Sequence, residues 1–133
     1  MAYYNELRKY GTKAALIDEN GNEMTYEQLD DECVRLGSKL DGRKLVFVFC
    51  SNTIGSICGY VAFLYNHVVP VLVDEHIEKE LRRNLISIYK PDYLYVSDEM
   101  IEQIEEENPG LEAVYSNNGY HLYKTAYGYH HEL

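Results

Sequence analysis

Apolar residues recur at intervals of three and four in the first third of the chain. They are Tyr26, Leu29, Cys33, Leu36 and Leu40. This spacing places them on one face of a helix. Thr25 and Gln28 have the spacing of a capping box at its start, and Met24 precedes the box as a hydrophobic staple would. We predict a helix from about position 26 to Gly42, where glycine favours a stop.

Short segments of alternating polarity indicate a β-hairpin near each end of the chain. Residues 13–18 and 23–26 enclose Asn20-Gly21, a dipeptide that favours a type I′ turn. A second hairpin is predicted over 111–127, around an Asn-Asn-Gly turn rich in neighbouring tyrosines.

Between the hairpins, continuous apolar segments alternate with helical patterns. The strands are predicted at 44–50, 68–73 and 92–96, and the helices at 53–66, from Asp74 to Lys90 and from Ser97 to Asn108. Strands without polar alternation are typical of a sheet covered on both faces, and the order predicts parallel pairing with right-handed crossovers. We therefore expect an α/β fold of one domain over 1–133. It should have three layers, a central and mostly parallel sheet, and a β-hairpin near each end.

Single residues refine this expectation. Pro70 has no N–H to donate, so the second covered strand is expected at an edge or a bulge. Gly55 and Gly59 are expected to let a neighbouring segment approach the second helix closely. The third helix is expected to face the core with four apolar residues, which are Ile77, Leu81, Leu85 and Ile88.

The formal net charge is −10, from 12 basic and 22 acidic residues. This balance excludes bulk attraction to nucleic acid or to anionic lipid. Much of the excess lies at 98–108, where an acidic helix surface is the simplest interpretation.

Cys33, Cys50 and Cys58 contain no CxxC pair and are interpreted as small buried residues of a reducing compartment. No basic segment followed by an apolar run opens the chain, and the longest apolar stretch, 57–65, is too short to span a bilayer. These features predict a cytoplasmic protein.

Several short sequences occur in a characteristic order from Lys13 to Asp98. They are Ala-Leu-Ile-Asp at 15–18, Met-Thr-Tyr-Glu-Gln-Leu at 24–29, Arg-Leu-Gly-Ser-Lys-Leu at 35–40, Ser51-Asn52 after a strand, a helix ending at Asn66, Val-Pro-Val-Leu-Val-Asp at 69–74 and Lys-Pro-Asp-Tyr-Leu-Tyr-Val-Ser-Asp at 90–98. This order resembles the beginning of the adenylate-forming, AMP-binding superfamily, which includes acyl-CoA synthetases, luciferases and nonribosomal peptide synthetase adenylation domains.

The resemblance implies the N-terminal structural subdomain of an ATP-dependent, AMP-forming acid–thiol ligase. In such a parent protein a carboxylate attacks the α-phosphate of ATP in the presence of Mg, and a thioester then forms on coenzyme A or on a carrier-protein phosphopantetheine. This subdomain would supply framework and one wall of the acyl site, and its partner would be the remainder of the ligase polypeptide.

The catalytic motifs of that family have no counterpart in the sequence. The family's phosphate loop is rich in Ser, Thr and Gly and ends in Pro-Lys; its magnesium motif, ribose-binding Asp and catalytic Lys lie further along. We expect that the chain stops upstream of the phosphate loop and holds no catalytic residue, cofactor or metal. By itself it should neither bind ATP usefully nor hydrolyse it.

Asn52 and Thr53 are the one candidate substrate-binding pair. They follow a covered strand at its carboxyl end, where α/β folds place ligands beside helix N-termini. The simpler interpretation, which we favour, is a plain N-cap.

Two clusters of His and Cys residues are weaker candidates for a functional site. His121, His130 and His131, with Glu132, are residue types that bind zinc, but adjacent histidines of a strand point to opposite faces. Nothing in the sequence spacing predicts contact among Cys50, Cys58 and His67, and packing in the buried core is the simpler interpretation.

The chain has 14 Tyr and no Trp. One group could line an acyl or aromatic pocket, although we favour sheet edges with each hydroxyl in water. An exposed tyrosine surface would favour self-association. The group comprises Tyr93, Tyr95, Tyr115, Tyr120, Tyr123, Tyr127 and Tyr129.

An alternative is a free-standing flavodoxin- or receiver-like module that binds a ligand or another protein. A receiver needs a pair of acids after its first strand, where this chain has Cys50-Ser51-Asn52, and Asp74 alone is a poor substitute. A flavodoxin phosphate loop should be rich in Ser, Thr and Gly, which residues 51–56 match only loosely.

Overall fold

The computed structural model describes residues 11–42 and 45–127. These form an α/β fold, and their elements follow in chain order. They are β1 (Ala14–Ile17), β2 (Glu23–Thr25), α1 (Tyr26–Gly37), β3 (Leu45–Cys50), α2 (Ile54–Tyr65), β4 (Val69–Asp74), α3 (Lys79–Tyr89), β5 (Tyr93–Ser97), α4 (Ile101–Glu107), β6 (Glu112–Asn117) and β7 (Tyr120–Lys124).

The central sheet has five strands in the order β4-β3-β5-β7-β6. β3 pairs in parallel with β4 and with β5, as expected for the three covered segments. β7 pairs antiparallel with both β5 and β6, so the sheet is mixed. The second hairpin therefore extends the sheet instead of standing beside it, because it covers the backbone edge that β5 would otherwise expose.

Helices cover both faces of this sheet. Alternate residues of β3 point to opposite sides, so that Val46 and Val48 pack with α1 and α2 while Phe47 and Phe49 pack with α3 and α4. The three-layer arrangement follows from this division of the apolar residues into two clusters.

The predicted cap of α1 is confirmed, whereas its predicted end is wrong. Thr25 Oγ1 accepts from the Gln28 N–H at 3.1 Å, and Gln28 Oε1 accepts from the Thr25 N–H at 2.9 Å. The helix ends at Gly37, well before Gly42. At this point the Asn66 side-chain amide donates to the Cys33 carbonyl at 2.9 Å, which ties the end of α1 to the end of α2.

The first hairpin is confirmed, but its turn is not type I′. That type requires a positive φ at both central residues, and Gly21 has one whereas Asn20 does not. The Asp18 carboxylate accepts from the N–H groups of Asn20 and Asn22, both at 2.9 Å, and this side-chain bonding shapes the turn. The second hairpin does have the primed geometry, with a φ of 54° at Asn118 and 76° at Gly119.

The second predicted strand is at the sheet edge, as Pro70 indicated, but it is only partly covered. Val69 is 59% exposed and Leu72 is 54% exposed. Among the described strands only β3 pairs with it, so the helices above and below reach it incompletely.

The predicted caps of the third and fourth helices are wrong. Asp74 ends β4, and its carboxylate accepts from the His76 N–H at 2.8 Å instead of capping α3. Ser97 precedes a 3₁₀ turn at Asp98–Met100 and not α4 itself, and its hydroxyl donates to Glu75 at 2.9 Å without making a capping bond.

The predicted inner face of the third helix is confirmed only in part. Ile77 and Leu85 pack against the core. Arg82 and Ile86 are buried, whereas Leu81 is 48% exposed and Ile88 is 70% exposed. Arg82 points inward because Glu107 of α4 binds it there. Half of the predicted apolar stripe is therefore exposed.

Four of the seven tyrosines in the predicted group are core residues, contrary to the prediction that they cover edges, whereas Tyr115 on the edge strand β6 and Tyr127 are half-buried. Tyr93, Tyr95, Tyr120 and Tyr123 are almost completely buried. Each hydroxyl donates to a fixed acceptor: respectively the Asp41 carboxylate, the Gly55 carbonyl, the Phe49 carbonyl and the Glu105 carboxylate. These residues therefore supply no exposed surface for self-association, and Tyr129 lies outside the described residues.

We expect the chain to unfold between about pH 10 and pH 12. Burial raises the pKa of Tyr95 and Tyr120 and raises the pKa of Tyr123 to about 12. Because the folded state holds these protons more tightly, their stabilisation is complete below about pH 10 and is lost as the pH rises through the folded pKa. Tyrosinate absorbance and circular dichroism should change together in one steep step. Tyr123→Phe should move this step to higher pH, and Tyr89→Phe, at an exposed residue, should not; ionisation near pH 10 with the fold retained would contradict the prediction.

Candidate functional site

The carboxyl ends of β3, β4 and β5 meet at one edge of the sheet because these strands run in parallel. The chain leaves β3 into α2 on one face and leaves β4 into α3 on the other. Because these two connections lie on opposite faces of the sheet, a crevice opens between β3 and β5. Doubly wound α/β folds bind their ligands in such a crevice. Ser51 and Asp98 mark its two sides.

Thr53 lines this crevice, Asn52 lines the cleft that adjoins it, and both residues are exposed. Thr53 is the N-cap of α2, and its hydroxyl accepts from the Ser56 N–H at 3.3 Å. The Ser56 hydroxyl in turn accepts from the Ser51 N–H at 3.1 Å. The N-cap interpretation of Thr53 is thus confirmed, and a binding role for the pair stays a prediction.

Tyr120 fixes the position of this loop, a role that the sequence pattern did not reveal. Its hydroxyl donates to the Phe49 carbonyl at 2.7 Å and lies 2.8 Å from Ser51 Oγ. Its ring stacks on Tyr95 with centroids 4.7 Å apart. Burial raises the pKa of Tyr120, so the hydroxyl remains a neutral donor. The turn at Asn118 and Gly119 is the sequence signal that could have indicated this role, because the turn sets the register of β7 and thereby the position of Tyr120.

The other side of the crevice is acidic. Glu75 accepts from the Ser97 hydroxyl at 2.9 Å, and Asp98 contacts the His121 ring. Asp74 and Glu99 lie at the same edge. The N-terminus of α2 would favour an anion, but these carboxylates oppose a phosphate group. The edge therefore suits neutral or cationic polar groups better than a polyphosphate.

Two open clefts adjoin Thr53 on either side. One has a volume of about 560 Å³ and is lined by Glu19, Cys50, Ser51, Asn52, Thr53, Leu72, Asp74, Glu75 and His76. The other, of about 510 Å³, is lined by Asp18, Asn22, Glu23, Met24, Gln28, Arg35, Thr53, Ile54, Gly55, Asn117 and Asn118. Their polar linings offer hydroxyl, amide and carboxylate groups from five different segments.

Glu32 is a buried carboxylate beside the second cleft. Its Oε1 accepts from Tyr115 at 2.8 Å, from Asn117 at 2.7 Å and from Arg35 at 3.3 Å, while its Oε2 has no hydrogen-bond partner among the described residues. These bonds tie α1 to β6. This role could not be predicted from the sequence, because the acidic run at 30–32 is typical of a solvated helix surface.

The three cysteines are free thiols that are poor nucleophiles. Cys33 and Cys58 are buried, as expected, and burial raises the pKa of each to about 12. Cys50 is half-buried, and burial raises its pKa as well. A reactive thiolate needs a lowered pKa, so these residues do not form a nucleophilic site.

Within 11–42 and 45–127, no group of three His, Cys, Asp or Glu residues could hold a metal ion. His130, His131 and Glu132 lie outside the described residues. In the same part of the chain, no helix is both long enough and apolar enough to span a bilayer.

Comparison with protein-family models gives no match to this chain. A search of curated proteins likewise finds none that matches. The function is therefore inferred from the residues and from their arrangement.

Proposed function

We propose that this chain is the N-terminal structural subdomain of an ATP-dependent, AMP-forming acid–thiol ligase and does not catalyse the reaction by itself. In the parent protein, ATP and Mg would activate a carboxylate, and coenzyme A or a phosphopantetheine would accept the acyl group. The remainder of the ligase polypeptide would be the partner of this subdomain.

The order of the sequence landmarks carries this proposal. Four of the landmarks coincide with successive element boundaries: the capping box opens α1, Ser51 and Asn52 follow β3, Asn66 ends α2, and residues 69–74 form β4. A chance resemblance in sequence would not be expected to coincide with the boundaries of four successive elements.

The contacts of the landmark residues support a framework role. Asn66 ties two helices together at their ends. Asp92 accepts from the Leu45 N–H at 2.9 Å, which joins the start of β5 to the start of β3. Tyr93 donates to Asp41 at 2.6 Å and so fixes the loop after α1. These bonds set the relative positions of the layers, and none of them leaves a group poised for chemistry.

We expect the 133-residue chain to show no acid-dependent pyrophosphate exchange into ATP. The coding sequence downstream of codon 133 should continue in frame to a loop rich in Ser, Thr and Gly that ends in Pro-Lys. The polypeptide extended through that region and its C-terminal lid should exchange pyrophosphate when supplied with its acid. Its matched control is the same polypeptide with the Lys of that loop changed to Ala.

Two results would contradict this proposal. One is clear turnover by the 133-residue chain. The other is a stop codon in place of the expected loop, which would favour the second candidate.

That second candidate is a free-standing flavodoxin- or receiver-like binding module. The order β4-β3-β5 favours it, because a doubly wound sheet with a polar crevice at its switch point is the usual setting of a ligand. The acidic residues Asp74, Glu75 and Asp98 would then face a cationic or neutral ligand.

A further inference from the structure

β4 lies at the edge of the central sheet, and its outer side presents backbone groups to which a further strand could bond. Of the strands that the structure describes, β3 alone pairs with it. The Glu75 N–H donates to the Cys50 carbonyl at 3.2 Å, so the odd-numbered residues of this segment bond toward β3. The even-numbered residues Pro70 and Leu72 therefore direct their backbone groups outward. Leu72 supplies an N–H and a carbonyl there, whereas Pro70 supplies a carbonyl only.

One side of this edge is apolar. The register of β3 with β4 places Val71 beside Phe47, on the sheet face that α3 and α4 cover. Val69 is two positions away and lies on the same face, and both valines are at least 36% exposed. The exposed Tyr89 ring lies 6.1 Å from the Phe47 ring on this face. Side chains that an added strand directs to this side would therefore meet apolar groups.

The other side of the edge is acidic. Leu72 and Asp74 alternate with the valines and lie on the face that α1 and α2 cover. Both residues line the cleft of about 560 Å³, to which Glu19 and Glu75 add two further carboxylates. No Lys or Arg is among the residues that line this cleft. An added strand would therefore be stabilised by basic side chains on this side, since opposite charges attract across a strand pair.

We propose that the outer edge of β4 binds an extended segment of another protein in which apolar residues alternate with Lys or Arg. The segment lengthens the five-stranded sheet by one strand. In antiparallel pairing, which is the slightly more stable arrangement, its residue opposite Leu72 exchanges both backbone hydrogen bonds with Leu72. Its apolar side chains pack on Val69 and Val71, and its basic side chains face Asp74 and Glu19.

The sequence of β4 disfavours a second copy of this chain as the occupant. Residues 67–74 contain no Lys or Arg, so a second β4 has no basic side to place against the carboxylates. The formal net charge of −10 also repels another copy and attracts a basic partner. The basic residues are therefore expected from a different sequence.

Fluorescence anisotropy with labelled peptides tests this inference on the 133-residue chain. The probe is a peptide as long as β4, six residues, with blocked ends and with Val alternating with Lys. It should bind, whereas a peptide in which Val alternates with Glu should not, because its acidic side would face Glu19 and Asp74. A peptide with the composition of the probe but with Val and Lys in two blocks should bind about tenfold more weakly, because it cannot place its apolar and basic residues on separate faces.

Two pairs of variants separate the backbone bonds from the charges. Leu72→Pro removes the outward N–H and should weaken binding of the probe by about tenfold, whereas Leu72→Ala keeps the N–H and should weaken it less. Glu19→Gln combined with Asp74→Asn should weaken binding by about threefold or more. Glu102→Gln combined with Glu106→Gln removes the same charge from exposed positions of α4 and should change little.

Amide hydrogen exchange locates the bound peptide in the original chain. The Leu72 N–H should exchange more slowly when the probe is bound, because it then donates to the added strand. Circular dichroism should show every variant folded. No binding of the probe, equal binding of the Val–Glu peptide, or unchanged exchange at Leu72 would overturn the proposal. Self-association of the chain in competition with the probe would assign the edge to a second copy and would also overturn it.

Discussion

Replacing Glu107 by Leu is expected to lower the free energy of unfolding by about 3–5 kcal/mol, because it leaves Arg82 charged and buried. The two side chains are only 3% and 5% exposed. Arg82 Nε and one terminal nitrogen donate to the two carboxylate oxygens at 3.0 and 2.6 Å, a bidentate pair. Gln103 alone would remain as an acceptor, at 3.3 Å. A guanidinium cannot become neutral by losing its proton, so the charge stays in place.

Urea unfolding followed by circular dichroism measures this effect. Arg82→Leu should cost less than Glu107→Leu, because the remaining carboxylate can take up a proton. The double variant should approach the stability of the original chain, since apolar residues often replace a buried ion pair without loss. Glu106→Leu, at an exposed neighbour in α4, is the matched control and should change little. A loss below about 1 kcal/mol in Glu107→Leu would show that the pair behaves as a surface salt bridge.

Gly59→Ala is expected to destabilise the fold by about 1–3 kcal/mol or more through overpacking, although alanine is the better helix former by about 1 kcal/mol. A Cβ atom at this position would lie 2.6 Å from the Tyr95 hydroxyl oxygen and nearer still to its ring. That ring cannot move aside. Tyr95 is 1% exposed, and its ring contacts the Phe63 ring edge-on and stacks on Tyr120, while its hydroxyl donates to the Gly55 carbonyl.

A double-mutant cycle isolates the cause of this loss. In a Tyr95→Ala background, which removes the obstructing ring, Gly59→Ala should cost nothing or should stabilise the helix slightly. Additive losses in the cycle would mean that the substitution acts elsewhere. The predicted close approach at Gly55 and Gly59 is confirmed by the structure: an added Cβ at Gly55 would come within 2.9 Å of the Tyr120 ring.

Sequence reasoning was most successful where the signal is local. The capping box at Thr25, the N-cap at Thr53, the edge position of Pro70 and the two hairpins depend on residues a few positions apart, and the structure has all of them. The parallel pairing of β3 with its neighbours followed from the alternation of strands and helices. Even the position of the crevice could be predicted, because it lies where a covered strand leads into a capped helix.

The tertiary structure decided which polar groups are buried, because each needs a partner that is distant in the sequence. Arg82 is buried beside a carboxylate 25 positions away, and Glu32 Oε1 accepts from a hydroxyl 83 positions away. The burial of Tyr120 depends on β7 joining the sheet beside β5. Periodicity and caps thus determined the elements of this protein. The orientation of each element was decided by long-range hydrogen bonds and ion pairs, because a polar group that loses water must find a partner wherever the fold supplies one.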